Sequence, residues 1–516
     1  MRAHGGTEPL ILTAAEAAQL VPDGATVAVE ASGGGLLEPT ALIAALGARH
    51  QADGSPSGLT LLFCSGIGNR AGSGLDYLAY PSLVRRTIGG HYAMSPKLAQ
   101  LVAAGEIAAY NLPQGVISQM YREVAAGRPG VVTHVGIGTF CDPRFGGGKL
   151  NARCTDDLVS VVQLHGREWL LYDAIPINVA FIRGTTADEL GNITLEHEPA
   201  TLGVLTAAMA AHNSGGIVIA QVERMACYGT LGARRVVVPG HLVDYLVVEP
   251  TQPQTAADGP YNPSLSGELR CPVDTIPPLA LDERKVVAQR AYREIMPGSI
   301  ANLGVGMADG VGSVAAEAGG LDQIVLTVEQ GLAGGVPARG VIFGAVWNPD
   351  SIIDSPSQFD FYDGGGLDVA CLGFAEIDSL GNVNSSRVGD AIFGAGGFID
   401  ISQGAHKLVF VGTLTAGGLR TTVGAGELHI EREGRVHKFV PAVAQLTFSA
   451  EQARLRGQQV MYVTERAVFE LGPSGVELVE IAPGVDLERD ILGQMDFRPS
   501  IREPLPRMDG SLFLDK

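Results

Sequence analysis

The sequence predicts an α/β chain built as two related open lobes, and three observations predict it. Short β-branched runs alternate with Ala/Leu-rich stretches of helical character along its 516 residues. A proline-dense stretch near the middle interrupts that alternation. The segments on either side of it resemble each other in sequence and in loop length.

Residues 25–29, 59–63, 216–222, 323–328 and 407–411 read as strands, and 39–46, 97–104 and 281–295 as helices. Strand-then-helix alternation argues for mostly parallel sheets, because parallel neighbours need crossover connections. Residues 249–278 carry Pro250, Pro253, Pro260, Pro263, Pro272, Pro277 and Pro278, with Gly259 and Gly267. Proline at that density continues neither a helix nor a central strand. The expected organisation is an N-terminal domain 1–248, a linker 249–280 and a C-terminal domain 281–516.

The repeat is clearest around positions 180 and 370. Val179/Val369, Ala180/Ala370, Asp188/Asp378, Leu190/Leu380, Gly191/Gly381 and Asn192/Asn382 pair at a constant spacing of 190 residues. The apolar run 217–220 pairs with 408–411 one residue later. Upstream, 21–35 resembles 296–307 at a spacing of about 275, so the first half carries roughly 85 extra residues between these matches. The shared L-G-N reads as a turn, since Gly and Asn tolerate left-handed backbone.

Composition excludes several classes. Lys+Arg is 36 and Asp+Glu is 55, a formal charge of −19. Such a chain is not expected to track nucleic acid or an anionic membrane. Glycine is 69 of 516 without a collagen-like period, so its excess belongs in turns and close approaches. The six cysteines form no C-x-x-C pair and read as small core residues of a reducing compartment. The N-terminal segment resembles neither a secretory signal nor a transit peptide, and no apolar run reaches membrane-spanning length. A cytoplasmic protein is the expectation.

Chemistry is expected where the halves diverge. Glu329 ends the apolar run of Q-I-V-L-T-V-E-Q-G-L-A-G-G; at the 190 spacing its counterpart is Thr139. An acid after a buried run and before glycines sits at the carboxyl end of a strand, where open sheets bind ligands. The position also suits a loop acid or a charge at a helix N-terminus. The second divergence is G-A-G-G-F-I-D, residues 394–400, opposite a plain helical stretch. Its glycines expose N–H groups that can stabilise an oxyanion or bind an anion, or form a tight turn.

Other motifs point elsewhere. S-G-G-G at 32–35 follows a strand but lacks the dinucleotide spacing, and no Walker A occurs. The glycines at 304–306 and 364–366 read as turns. The eleven histidines contain no H-x-x-x-H, so no metal site is expected. No G-x-S-x-G occurs. Glu465, Glu470 and Glu480 alternate with apolar residues and read as solvated strand faces.

T-V-E-Q-G-L-A-G-G, W-N-P-D-S-I-I-D, F-D-F-Y-D-G-G-G-L-D-V-A, G-A-G-G-F-I-D-I-S and F-V-G-T-L-T-A-G-G-L resemble the class I CoA-transferases. So do A-Y-N-L-P-Q-G-V-I-S and H-V-G-I-G-T-F-C-D-P-R in the first half. The nearest branch is the single-chain acetate/propionate type, in which α-like and β-like domains are fused. The resemblance implies two lobes of the ribose-phosphate-isomerase-like type with the site between them. It implies that Glu329 attacks an acyl-CoA thioester, that Gly394, Gly396, Gly397 and Phe398 form an oxyanion hole, and that Gly331, Gly334 and Gly335 complete the substrate segment. It further implies that Gln114 orients the glutamate or a substrate carboxylate, and that Val29, Phe63 and Phe398 keep water out. Coenzyme A is then a substrate, moved from acetyl-CoA, propionyl-CoA or acetoacetyl-CoA to a short carboxylic acid. No permanently bound cofactor and a homo-oligomer, dimer or tetramer, are implied. A thioesterase on the same scaffold and a non-catalytic sugar-phosphate or nucleotide-binding regulator are the alternatives.

Overall fold

The computed structural model describes residues 9–257 and 259–514. Among these, two large sheets carry the fold. In the first, the strands run in the order Leu10–Leu12, Tyr245–Val248, Ile217–Ala226, Val179–Asp188, Thr26–Val29, Leu59–Phe63, Val84–Gly89, Ala108–Asn111. Every neighbouring pair in that order is parallel. The central strand Val179–Asp188 is buried along its whole length, as a strand covered on both faces must be. Its one basic residue, Arg183, is satisfied inside. The guanidinium bonds Glu198 at 2.9 Å and donates to the carbonyls of Glu38 and Pro253.

The second sheet has a parallel centre, Val325–Val328, Ile300–Leu303, Val369–Gly373, Lys407–Val411, Gln459–Val463. Antiparallel strands extend it on both sides. The repeat is therefore real in three dimensions. Val27 and Ala28 pair with Val179 and Ala180, as Ala301 and Asn302 pair with Val369 and Ala370. The L-G-N turns are built alike. Asp188 accepts from the N–H groups of Leu190 and Asn192 and from the Asn192 amide; Asp378 does the same with Leu380 and Asn382. Gly191 and Gly381 both have φ near +90°, at 81° and 91°.

Register corrects two pairings read from sequence. Ile217 and Lys407 take the same neighbours, Val179 and Val369, so the spacing of 190 continues through this strand without a shift. The topological counterpart of Glu329 is Cys64, not Thr139. Each directly follows the strand beside the partner of the repeat strand: Leu59–Phe63 lies beside Thr26–Val29, and Val325–Val328 beside Ile300–Leu303. The spacing of 190 cannot apply there, because the extra residues of the first half intervene. They build Val84–Gly89, Ala108–Asn111 and a small sheet of Gly130–Thr133, Val159–Leu164 and Arg167–Asp173.

The proline-rich stretch contains no strand or α-helix among its described residues, but it is pinned to both lobes. Its Ala256 N–H donates to the Gly34 carbonyl at 2.5 Å, and Ser264 accepts from the Asn348 N–H. The Asn348 side chain clamps the N–H and the carbonyl of Cys271. Two further readings need correction. Cys227 is exposed, unlike the buried Cys64, Cys141, Cys154 and Cys371. Glu465 is wholly buried, paired with the equally buried Arg466, which also bonds Glu433.

Candidate active site

Glu329 directly follows Val325–Val328, at the carboxyl edge of the second sheet, and is 9% exposed. Strand burial and three glycines set its position. Gly331 has φ +99°, and a Cβ there would lie 2.2 Å from the Ile353 carbonyl oxygen. Gly334 and Gly335 also have positive φ, and a Cβ on Gly335 would meet the Trp347 carbonyl at 2.1 Å. These glycines fold the segment tightly back, so only glycine fits.

The Glu329 carboxylate is unevenly satisfied. Oε1 accepts from Gln330 Nε2 at 3.2 Å, while Oε2 is buried and has no hydrogen-bond partner among the described residues. Burial raises the Glu329 pKa above the ordinary carboxylate value; its own backbone and Gln330 oppose this only in part. Gln330 Nε2 also reaches the first lobe, donating to Ser32 Oγ at 3.1 Å. Ser32 in turn bonds Ser65 at 3.1 Å. The sequence singles out neither Gln330 nor Ser32 as a site residue, although Ser32 lies in the S-G-G-G loop. The signal was its place directly beyond a parallel strand.

The G-A-G-G-F segment comes from the second lobe and leads into the helix Phe398–Gly404. It replaces the opening turns of the corresponding first-lobe helix Val204–Asn213. Ser386 of its own lobe and two first-lobe strand ends hold it. Gly394 donates to the Ser386 carbonyl, Ala395 to Asn111 Oδ1 at 2.8 Å, and Gly396 to the Gly90 carbonyl at 2.7 Å. Phe398 donates back to Ala395. Of the four residues expected to donate to an oxyanion, three thus have their N–H groups engaged. The Gly397 N–H has no acceptor among the described residues. Asn111 is the clamp, since its amide also donates to the carbonyls of Gly89 and Gly90.

Gln114 opens the helix Gln114–Ala125 and donates its N–H to the Gly396 carbonyl at 2.9 Å. Its side-chain oxygen lies 3.7 Å from where a Gly396 Cβ would stand. Among the described residues, the side chain hydrogen-bonded to the Glu329 carboxylate is that of Gln330. Val29 and Phe63 do not line this region. They alternate onto the opposite face of their strands and pack with Leu61 and Tyr92, whereas Ala28, Leu62 and Cys64 face the other way. Phe398 packs on Phe410 with ring centroids 5.7 Å apart. Among the described residues no group of three His, Cys, Asp or Glu side chains is placed to hold a metal ion, and no helix is long and apolar enough to cross a membrane.

The chain has clear relatives. It is 47% identical over 505 residues to the acetate CoA-transferase YdiF of Escherichia coli (strain K12), covering 98% of this chain and 95% of that one. The chain is a CoA-transferase. The coenzyme A transferase family model matches residues 11–249. Caffeate CoA-transferase of Acetobacterium woodii is 44% identical over 513 residues, 98% of this chain and 97% of the relative. The crystal structure of the acyl-CoA transferase YdiF apoenzyme from Escherichia coli O157:H7 superposes with a TM-score of 0.95 at 46% identity, covering 100% of this chain and 98% of that one. That protein has also been solved as a thioester complex with CoA, with a TM-score of 0.94 at 45% identity and coverage of 98% and 96%. The transferase thus has two α/β lobes, with Glu329 and the glycine loop held where they meet.

Proposed function

We propose that the enzyme moves CoA from a short-chain acyl-CoA to a free carboxylic acid through a covalent glutamyl-CoA thioester on Glu329. The observation that carries this reading is the state of the Glu329 carboxylate, with Oε1 held by Gln330 and a buried Oε2 that nothing in the described chain engages. A desolvated oxygen without a donor is free to attack. Oε2 adds to the thioester carbonyl, and collapse expels CoA thiolate, leaving a mixed anhydride. The thiolate then attacks the glutamyl carbonyl and expels the first acid as its carboxylate. The acceptor carboxylate attacks the glutamyl thioester, and the released thiolate attacks the acyl carbonyl of the new anhydride. Acyl-CoA leaves and Glu329 is regenerated.

The activation of the starting thioester passes through anhydride and glutamyl thioester into the product thioester, so the exchange consumes no ATP. Each addition builds an oxyanion, and the Gly397 N–H is the donor we assign to it, with Gly394, Gly396 and Phe398 shaping the loop. Gly331, Gly334 and Gly335 serve by fixing the backbone that presents Glu329, and Gln114 by its contact with Gly396. The α-like domain is 1–248 and the β-like domain 281–516, joined by 249–280. Acetyl-CoA, propionyl-CoA and acetoacetyl-CoA are the donors of choice. The thioester complex with CoA recorded for YdiF supports this chemistry, and the four buried free thiols support a reducing, cytoplasmic setting.

The test is CoA exchange between acetyl-CoA and propionate. Glu329→Ala is expected to lose at least about 10³-fold in rate, since the nucleophile is gone. Exchange at the wild-type rate in that variant would refute the assignment. CoA released without an added acid, at the rate seen with one, would instead indicate a thioesterase.

A further inference from the structure

The segment that forms the glycine loop ends on Asp400, in the first turn of the helix Phe398–Gly404. Asp400 is 0% exposed, and neither carboxylate oxygen has a hydrogen-bond partner among the described residues. A buried acid left unpaired is costly, so its neighbours show what it serves. A Cβ on Gly115 of the first lobe would lie 2.4 Å from Asp400 Oδ1 and 2.5 Å from the Phe359 ring, so only glycine admits this approach. Gly115 and Val116 lie in the first turn of the helix Gln114–Ala125, where N–H groups lack acceptors within the helix. Burial and the nearby Asp363 raise the Asp400 pKa, and those two N–H groups oppose the rise, as donors facing a carboxyl group do.

The same helix is tied to the second lobe further along. Gln119 donates to Asp363 at 2.8 Å, and Arg122 pairs with Asp360 at 2.8 Å. Its leading N–H, that of Gln114, donates to the Gly396 carbonyl at 2.9 Å. That carbonyl and the Gly397 N–H belong to one peptide unit, which is planar and trans, so the two point in opposite directions. Holding the carbonyl on Gln114 therefore fixes where the Gly397 N–H points, and polarises it as a donor.

We propose that Asp400 is a positioning residue for CoA transfer. From the second lobe it seats the first turn of the helix Gln114–Ala125, and the Gln114 N–H then aims the Gly397 N–H at the developing oxyanion. The inference rests on the CoA-transfer reading above. Asp400 acts through Gln114 and Gly396 rather than on the reacting atoms. The role requires an oxygen facing the two N–H groups, so an amide can replace the carboxyl group.

The experiment measures CoA exchange between acetyl-CoA and propionate, with folding checked by thermal unfolding. Asp400→Leu keeps the volume and removes the oxygens. Its kcat is expected to fall at least about tenfold, with the KM for acetyl-CoA changed by less than about threefold. Asp400→Asn returns an oxygen and should stay within about threefold of the wild-type kcat. Gln114→Pro fits the first helical position but has no N–H, whereas Gln114→Ala keeps it. Gln114→Pro should be at least about tenfold slower in kcat than Gln114→Ala. Should Asp400→Leu fail to fold, Asp400→Ala takes its place. Four results overturn the proposal while CoA transfer stands: a wild-type kcat in Asp400→Leu, an Asp400→Asn as slow as Asp400→Leu, a KM that rises as much as kcat falls, or equal rates in Gln114→Pro and Gln114→Ala. A wild-type enzyme that moves CoA to no acid overturns the CoA-transfer reading, and this proposal with it.

Discussion

Glu30 offers a measurable link between burial and stability. Its pKa of about 7 in the folded chain stands against an ordinary value of 4.5, and the first cause is burial. The bonds from Gly203 and Cys64 lower it only in part. Between those two values the folded chain holds the proton more tightly than the unfolded chain does. The contribution is therefore intact below pH 4.5, declines as pH rises, and levels off above about 7. At about 1.36 kcal/mol per pH unit the whole effect is about 3 kcal/mol, most of which falls between pH 5 and pH 8. Glu30→Gln keeps the shape and the acceptor for the Gly203 N–H but cannot ionise. Urea unfolding of both proteins across this range isolates the term, because all other titrations cancel in the difference. The variant should gain about 2–3 kcal/mol relative to wild type on going from pH 5 to pH 8. Parallel profiles for the two proteins would refute the reasoning.

Three further outcomes follow from the site. Asn111→Ala removes the acceptor for Ala395 and the donor to Gly89 and Gly90, so it should cost about 1–3 kcal/mol by thermal or urea unfolding and lower kcat. Gly335→Ala forces a Cβ onto the Trp347 carbonyl at a φ of +66°, and should destabilise by at least about 2 kcal/mol in the same measurement. Because burial raises the Glu329 pKa and the attacking form is the carboxylate, the exchange rate should fall with decreasing pH already above 4.5; a pH–rate profile flat down to that value would contradict it.

Much of this molecule is legible in its sequence, for identifiable reasons. Buried parallel strands leave near-continuous apolar runs, and Leu59–Phe63 and Lys407–Val411 run as their patterns indicate. The Asp-x-Leu-Gly-Asn turns are legible because each is closed by its own side chains within five residues. Glu329 stands out because an acid ends an apolar run. What escapes the sequence depends on contacts across the lobes. Gln330 meets Ser32 and Asn111 meets Ala395 only after both sheets have formed, and nothing local in either segment encodes it. Asp400 is an ordinary acid in its own segment until it meets Gly115 across the lobes. Cys64 is hidden as the partner position of Glu329 because the extra strands of the first half break the spacing. Glu465 looks solvated by alternation, yet it is wholly buried against Arg466, whose guanidinium also reaches the partly exposed Glu433.

The most direct test of covalent catalysis at Glu329 is mass spectrometry of the wild-type enzyme after loading with acetyl-CoA. Peptide analysis should find CoA attached through a thioester to the peptide holding Glu329, and borohydride should convert that side chain to the alcohol. Glu329→Gln should carry neither. An enzyme that exchanges CoA at full rate with no adduct, or with the adduct on another residue, would contradict the account.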